Sequence, residues 1–393
     1  MTAFSMGPRI AARMAEIEPF HVVELLTRAR QLEAQGRSII HMEVGEPDFP
    51  TPRPMLDAAI RYIHTGDIHY TPSLGIPELR QAIADFYGVR YGVAVDPESV
   101  IVTAGASAAL LLVLGVLVNP GDEILLADPG YPCNRHFVRC FEGKPVGIPV
   151  CAETAYQPTE EGVGAAWTDR TRGLLVATPA NPTGTLIPSE RLDRLTRLVA
   201  RRGGTMLVDE IYHGLTYDIS AMTALRFSAE LFVINSFSKY FGMTGWRLGW
   251  LVAPRAYVRE IEKLAQNLFI CPSAPAQYAA LAAFEPDTLE ILESRRAQFR
   301  MRRDFLFPAL RELGFGVAAA PEGAFYLYAD CSAHTDDSFG FSRRLIEEAG
   351  VAVTPGRDFG SHAPERHLRF AYTTSIEQLA EGVERLRKLL RVL

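Results

Sequence analysis

"SFSKYFGMTGWRLG", residues 236–249, sets Lys239 between small hydroxyl residues and an aromatic, with Arg247 eight positions on. The run leading into it, "AELFVINSF" (229–237), reads as a buried strand, and "RLGWLVAP" (247–254) reads as a second one leaving. Lys239 therefore sits on a turn between core strands. A lysine serving only solubility has no need of that address.

Outward from this turn, strand-like and helix-like patterns alternate between about residues 50 and 285. "SVIVTAG" (99–105) precedes an apolar helix, "AALLLVLGVLV" (108–118), and "GDEILLAD" (121–128) precedes a segment around "CNRHFVRCF" (133–141). "TRGLLVATP" (171–179) precedes "SERLDRLTRLVARRG" (189–203), whose leucines and valine recur at helical spacing, and "GTMLVDE" (204–210) follows. The β-rich runs are apolar on both faces, which predicts a largely parallel sheet covered by helices on both sides. After about residue 285 the pattern becomes α+β: a long charged helix over 286–313, "GAFYLYAD" (323–330), a helix over 338–349, "GVAVTPG", "RHLRFAYTT" (366–374) and a C-terminal helix. The expected organisation is an N-terminal arm (1–18), a large domain (47–285) and a smaller one (19–46 and 286–393), with a helix near 19–36 in the latter. No internal repeat is visible.

The chain has 393 residues, 48% hydrophobic and 22% charged, with a net charge of −6. That balance points away from nucleic acid and from a polybasic membrane contact. The densest basic run, "SRRAQFRMRRD" (294–304), reads as the solvated face of a long helix rather than a binding stripe. The five cysteines are widely spaced with no C-x-x-C, which predicts reduced, mostly buried thiols and no disulfide frame or zinc site. No H-E-x-x-H occurs, and His64 and His69 have nothing to complete a metal shell. The first twenty residues lack the apolar core of a signal peptide, and 108–118 is too short to span a bilayer, so the expected location is the cytoplasm.

In open α/β sheets ligands bind beyond the carboxyl ends of the strands. The residues there are Gly105-Ala106-Ser107, Asp128-Pro129-Gly130-Tyr131, Asn181-Pro182-Thr183-Gly184, Asp209-Glu210-Ile211-Tyr212 and Ser236-Phe237-Ser238-Lys239. A lysine partly desolvated near other cations loses proton affinity and can attack a carbonyl to form a Schiff base. Ser236, Ser238 and Arg247 beside it suit a phosphate dianion. The Gly105–Ser107 turn before an apolar helix adds free backbone N–H groups and a positive dipole end. Asp209 could be a metal ligand, a general base or the partner of a buried ring nitrogen. Glu210 faces the other way in an extended segment, which weakens the metal reading. Tyr212 could reach the same ring, or be a core tyrosine.

Taken together, these residues resemble the pyridoxal-phosphate aminotransferases of fold type I, class I/II. The stretch 236–249 fits that family's lysine signature, and "GEPDF", "HYTPSLGIPELR", "DPGYP", "PANPTGTL", "DEIYHGL" and "LRFAYTT" follow the family's motifs, the likeness running from about residue 19 to the end. The resemblance implies a mostly parallel seven-stranded sheet and the cofactor pyridoxal 5′-phosphate. It makes Lys239 the Schiff-base lysine and proton shuttle, and Asp209 the partner of the pyridinium nitrogen. Asn181 and Tyr212 bond the ring hydroxyl oxygen, and Tyr131 stacks on the ring. Ser236, Ser238, Arg247, Gly105, Ala106 and Ser107 hold the phosphate. Arg369 binds the substrate α-carboxylate, with Asn181 and the backbone of Gly45 beside it. Tyr70 reaches the phosphate of a neighbouring subunit, which implies a homodimer.

One departure bears on substrate. Some relatives that favour aspartate carry a basic residue where this chain has Ser107. Arg135, in "PCNRHF", is the alternative partner for a distal carboxylate. The leading expectation is an aminotransferase moving an amino group from an L-amino acid to a 2-oxo acid. A carbon–sulfur β-lyase of the same fold is the alternative. A cofactor-bound sensing module fused to a DNA-binding domain is a third reading, for which the stretch before residue 19 leaves no room.

Overall fold

The computed structural model describes residues 9–318 and 320–392. Residues 1–8 of the expected N-terminal arm lie outside the described residues. Among the described residues, eleven strands fall into two sheets. In chain order they are β1 (Ile40–Met42), β2 (Val100–Thr103), β3 (Glu123–Asp128), β4 (Lys144–Pro149), β5 (Thr171–Ala177) and β6 (Thr205–Asp209). β7 (Phe232–Ser236), β8 (Gly249–Val252), β9 (Tyr326–Asp330), β10 (Val351–Pro355) and β11 (His367–Ala371) follow.

The larger sheet has seven strands in the order β2-β8-β7-β6-β5-β3-β4. All run parallel except β8, which is antiparallel to both β2 and β7. The cause is local. Only 12 residues join β7 to β8, and they hold no α-helix, so the chain turns back instead of crossing over. Lys239 lies in that turn.

The period-2 alternation of a strand sends successive side chains to opposite faces. In β6, Met206 and Val208 join one apolar core while Leu207 joins the other. The second core takes in the apolar helix, observed at Ala106–Leu117, and the helix Arg255–Leu268. The first core takes in the helices Arg53–His64, Pro77–Tyr91 and Ser189–Arg201. Helices thus cover both faces, as the doubly apolar strands require.

The smaller sheet has the order β1-β10-β11-β9 and draws on both ends of the chain. β1 pairs with β10 in parallel, and β11 lies antiparallel between β10 and β9. The His21–Ala34 helix and the C-terminal helix Ile376–Leu390 pack beside this sheet.

One strand was not foreseen and two expectations need correction. The unforeseen strand is β4, which carries no hydrophobic run because it is an edge strand with exposed residues and prolines at its second and last positions in "KPVGIP". The cysteines are free, but only Cys331 is buried: Cys133, Cys151 and Cys271 are half-buried and Cys140 is exposed. The basic run 294–304 is not a solvated face throughout. In the helix Pro286–Glu312, Arg302 and Arg303 are 4% and 6% exposed. Arg302 makes a bidentate pair with Asp48 at 2.7 and 2.9 Å, and Arg303 bonds Asp218 and the carbonyl of Pro321.

Candidate active site

The carboxyl ends of β2, β5, β6 and β7 open on one cavity of about 310 Å³. Its lining includes Gly45, Ala106, Ser107, Tyr131, Asn181, Asp209, Tyr212, Ser236, Ser238, Lys239, Arg247 and Arg369. These residues span positions 45 to 369 in sequence, and the two sheets bring them together.

Lys239 reaches into the cavity and its Nζ donates to the carbonyl oxygen of Gly45 at 2.7 Å. Burial pushes the ammonium down to about 8; Glu46 opposes that shift, while Arg369 and Arg247 add to it. Gly45 leaves room for a different neighbour: a Cβ at that position would stand 1.9 Å from the Tyr326 hydroxyl.

Asp209 ends β6, and its Oδ1 accepts from the backbone N–H of Ile211 at 3.0 Å. Burial pushes its carboxyl up to about 6, against the pull of that hydrogen bond and of Lys239. Glu210 turns to the other side, where it is fully buried and accepts from the N–H of Ala224 at 2.7 Å. No group of three or more metal-ligating side chains is present among the described residues.

Next to Lys239, the Ser236 hydroxyl donates to Ser238 Oγ at 2.9 Å and accepts from the Ser238 N–H at 3.0 Å. Arg247 holds a left-handed backbone at φ 54° and ψ 54°, uncommon for a residue with a side chain. Its guanidinium lies so close to Gly105 that a Cβ there would meet Nη2 at 2.7 Å. Gly105 itself has φ 80° and caps the Ala106–Leu117 helix. Two hydroxyls, a guanidinium and the N-terminal amides of a helix therefore converge on one corner of the cavity, a donor set suited to a phosphate dianion.

Across the cavity, Arg369 on β11 is 3% exposed. It donates to Asn181 Oδ1 at 2.9 Å, to Thr354 Oγ1 at 3.2 Å and to the carbonyl of Glu43. Its Nε is buried with no partner. It lies 4.3 Å over the ring of Tyr326, whose hydroxyl meets that of Tyr212 at 2.9 Å. An incompletely satisfied, buried guanidinium at a cavity wall is a built receptor for a carboxylate. Tyr131 forms another wall.

Tyr70 is not in this cavity; it stands 81% exposed on a loop. The sequence reading missed several wall elements: Glu46, Tyr326, Thr244, Val44, Leu110, Ala177 and the start of the His21–Ala34 helix with Phe20 before it. Glu46 lies inside "GEPDF" beside Gly45, so that motif held the signal. The helix had none, because nothing local says which face of an N-terminal helix meets β10, far along the chain.

The set fits pyridoxal phosphate: an amine of lowered pKa, a buried acid for a ring nitrogen, a phosphate corner and a guanidinium with one buried N–H left free share one enclosure. Residues 37–386 match the family described as aminotransferase class I and II. The chain is 36% identical over 383 residues to the valine–pyruvate aminotransferase of Mycobacterium tuberculosis, covering 97% of this chain and 98% of that one. It is 35% identical over 384 residues to the aspartate/prephenate aminotransferase of Thermus thermophilus, covering 97% and 98%. Among solved structures, an aminotransferase from Mycobacterium tuberculosis superposes with a TM-score of 0.94 at 36% identity, over 98% of this chain and 100% of that one. The aspartate aminotransferase of Thermus thermophilus with maleate does so with a TM-score of 0.92 at 34% identity, over 98% and 100%.

Proposed function

The chain belongs to the class I and II aminotransferases, pyridoxal-phosphate enzymes, and from that premise we propose that it exchanges the amino group of an L-α-amino acid for the oxo group of a 2-oxo acid at the cavity around Lys239. The observation that carries this reading is the shared enclosure of Lys239, Asp209, Arg247 and Arg369.

The cofactor supplies, when bound, an electron sink that makes the proton on the substrate α-carbon removable. The protein does the rest. Lys239 Nζ, with its lowered proton affinity, is the amine that would hold the cofactor through its aldehyde and, when free, the base that would take the proton from the substrate α-carbon. Asp209 would keep the ring nitrogen protonated by offering it a buried carboxylate. Asn181 and Tyr212 would hold the ring hydroxyl, and Tyr131 would pack against the ring. Ser236, Ser238, Arg247 and the turn Gly105-Ala106-Ser107 bind the phosphate. Arg369, steadied by Asn181, takes the α-carboxylate, with Gly45 beside it.

The same reading makes the enzyme a homodimer, with Tyr70 reaching the phosphate site of the neighbouring copy. Support comes from the exposure of Ile60, Ile63 and Ile68, shortly before Tyr70 in sequence, apolar side chains suited to burial against another chain. It also divides the chain into a domain of 47–285, which supplies Lys239, Asp209, Asn181 and Arg247, and one of 19–46 with 286–393, which supplies Gly45 and Arg369. No described helix is long and apolar enough to cross a membrane. The free cysteines suit a reducing compartment, which supports a cytoplasmic location. The relatives named above are aminotransferases, so the carbon–sulfur lyase alternative draws no support from them.

The test is reduction of the cofactor-loaded protein with borohydride, followed by peptide mapping and an amine-exchange assay. The expected outcome is a pyridoxyl adduct on Lys239 and conversion of amino acid plus 2-oxo acid into the exchanged pair. An adduct elsewhere, or ammonia release without exchange, defeats the reading.

A further inference from the structure

We propose that the substrate side chain packs on an apolar wall raised by Phe20 and the start of the His21–Ala34 helix, so that the enzyme takes α-amino acids with apolar side chains and discriminates against aspartate and glutamate. This rests on the aminotransferase reading of the same cavity and adds a substrate class to it.

The first argument is the charge inventory. Lys239, Arg247 and Arg369 are the three cations among the described residues of the wall, and each has a role in binding the cofactor or the α-carboxylate. The remaining formal charges there belong to Asp209 and to Glu46, an exposed residue that lines the cavity. A second substrate carboxylate would lose water, find no counter-ion in its own chain and share the cavity with Glu46. Burying an unpaired carboxylate is among the costliest events in a protein site.

The second argument is what stands there instead. Phe20, Val22, Val23, Leu26 and Val44 form a continuous apolar surface. The Phe20 ring meets the ring of Tyr131 edge-on, with centroids 6.4 Å apart at 84°. The wall therefore joins the aromatic face assigned to the cofactor ring.

The third argument is that the wall is held in place. The backbone N–H groups of His21 and Val22 donate to the two carboxylate oxygens of Asp358 at 2.9 Å each, a carboxylate clamp on the helix N-terminus. The Asp358 carbonyl in turn accepts from Arg135 Nη2 at 2.9 Å. Arg135 is thus turned away from the role of distal-carboxylate partner. It lines an adjoining cavity of about 460 Å³ and braces the loop that fixes the wall. Arg139, in that same cavity, is held by Glu16.

The test compares two inert carboxylates on the cofactor-loaded protein, 4-methylpentanoate and succinate, by calorimetry. Both offer Arg369 one carboxylate, so that contribution cancels. Alongside it, single-turnover loss of the cofactor absorbance is followed with leucine and with aspartate. The expected result is 4-methylpentanoate binding at least about 10-fold tighter, and leucine reacting with about 100-fold higher kcat/KM. Val23 is 52% exposed, so Val23→Arg will fold. That substitution adds a guanidinium to the wall and should lower the leucine-to-aspartate ratio by at least about 10-fold. Succinate binding as well as 4-methylpentanoate, or aspartate matching leucine, overturns the proposal and points to a cation from a neighbouring copy. If no amino acid reacts while 4-methylpentanoate still binds more tightly, the wall stands and the aminotransferase reading fails.

Discussion

Lys239 Nζ donates to the Gly45 carbonyl oxygen at 2.7 Å, joining residues 194 positions apart. The bond aims the amine into the cavity, and burial lowers its proton affinity so that it titrates near 8 rather than 10.5. Protonated amine is not nucleophilic, so cofactor capture by the apoprotein should rise with pH through about 8 and level off above it. Stopped-flow absorbance between pH 6 and 10 measures this, and a midpoint near 10.5 would refute the buried placement. Lys239→Ala should abolish covalent capture and lower amine exchange by at least about 1,000-fold.

Asp209 makes a pH prediction of opposite kind. Its carboxyl is raised from 3.8 to about 6 in the folded apoprotein, mainly by burial. Between those values the folded state holds a proton that the unfolded state has released, so apoprotein stability falls as pH rises from about 4 to 6. Asp209→Asn removes that contribution. Its denaturation midpoint should depend less on pH over this window, while exchange activity drops by at least about 100-fold for want of a carboxylate opposite the ring nitrogen. An unchanged pH slope would argue against this burial.

Arg369 is fixed by Asn181, Thr354 and the Glu43 carbonyl, yet keeps its buried Nε unpartnered. Arg369→Lys replaces a fork with a point charge. The expected loss is about 100-fold in kcat/KM, equal for every amino acid because the α-carboxylate is common to all of them. A loss confined to some substrates would place Arg369 at the side chain instead.

Tyr70 tests the assembly. It is 81% exposed and lies outside the cavity of its own chain. Tyr70→Phe removes one donor to a phosphate, so cofactor affinity should fall by about 10-fold with little change in the secondary-structure spectrum. Sedimentation should show a dimer for both proteins. A monomer, or a Tyr70→Phe protein with unaltered affinity, would sink the shared-site reading.

The five strand-end motifs made the large sheet and the cofactor corner legible, because strand-end residues are local in sequence and the sheet lines them up automatically. The order Ser236, Ser238, Lys239, Arg247 carried the phosphate corner on its own. What could not be read is what depends on distant partners. Whether Arg135 points at substrate depends on the Asp358 carbonyl, and whether Phe20 walls the cavity depends on how an N-terminal helix docks on a sheet built from both ends of the chain. The run 294–304 misled for the same reason. Its arginines look solvated until Asp48, Phe49 and Asp218 are brought to them by the fold.

Arg302 turns that correction into a measurement. Its guanidinium makes two bonds to Asp48 and lies 4.9 Å over the ring of Phe49 and 5.2 Å over that of Phe299. The arginine is 4% exposed, but the Asp48 side chain is 35% exposed, so solvent screens the pair from one side. Removing the buried partner of a fully enclosed pair costs about 3–5 kcal/mol, and the open side here brings the expectation for Arg302→Ala to about 2 kcal/mol. Arg302→Met keeps the packing stem between the two rings and should lose less. Asp48→Asn leaves the guanidinium buried without its counter-charge but in reach of water, and should fall between the two. Urea denaturation of the three variants gives the order directly. A solvated arginine would leave all three within about 0.5 kcal/mol of the parent, and that result would restore the exposed-face reading.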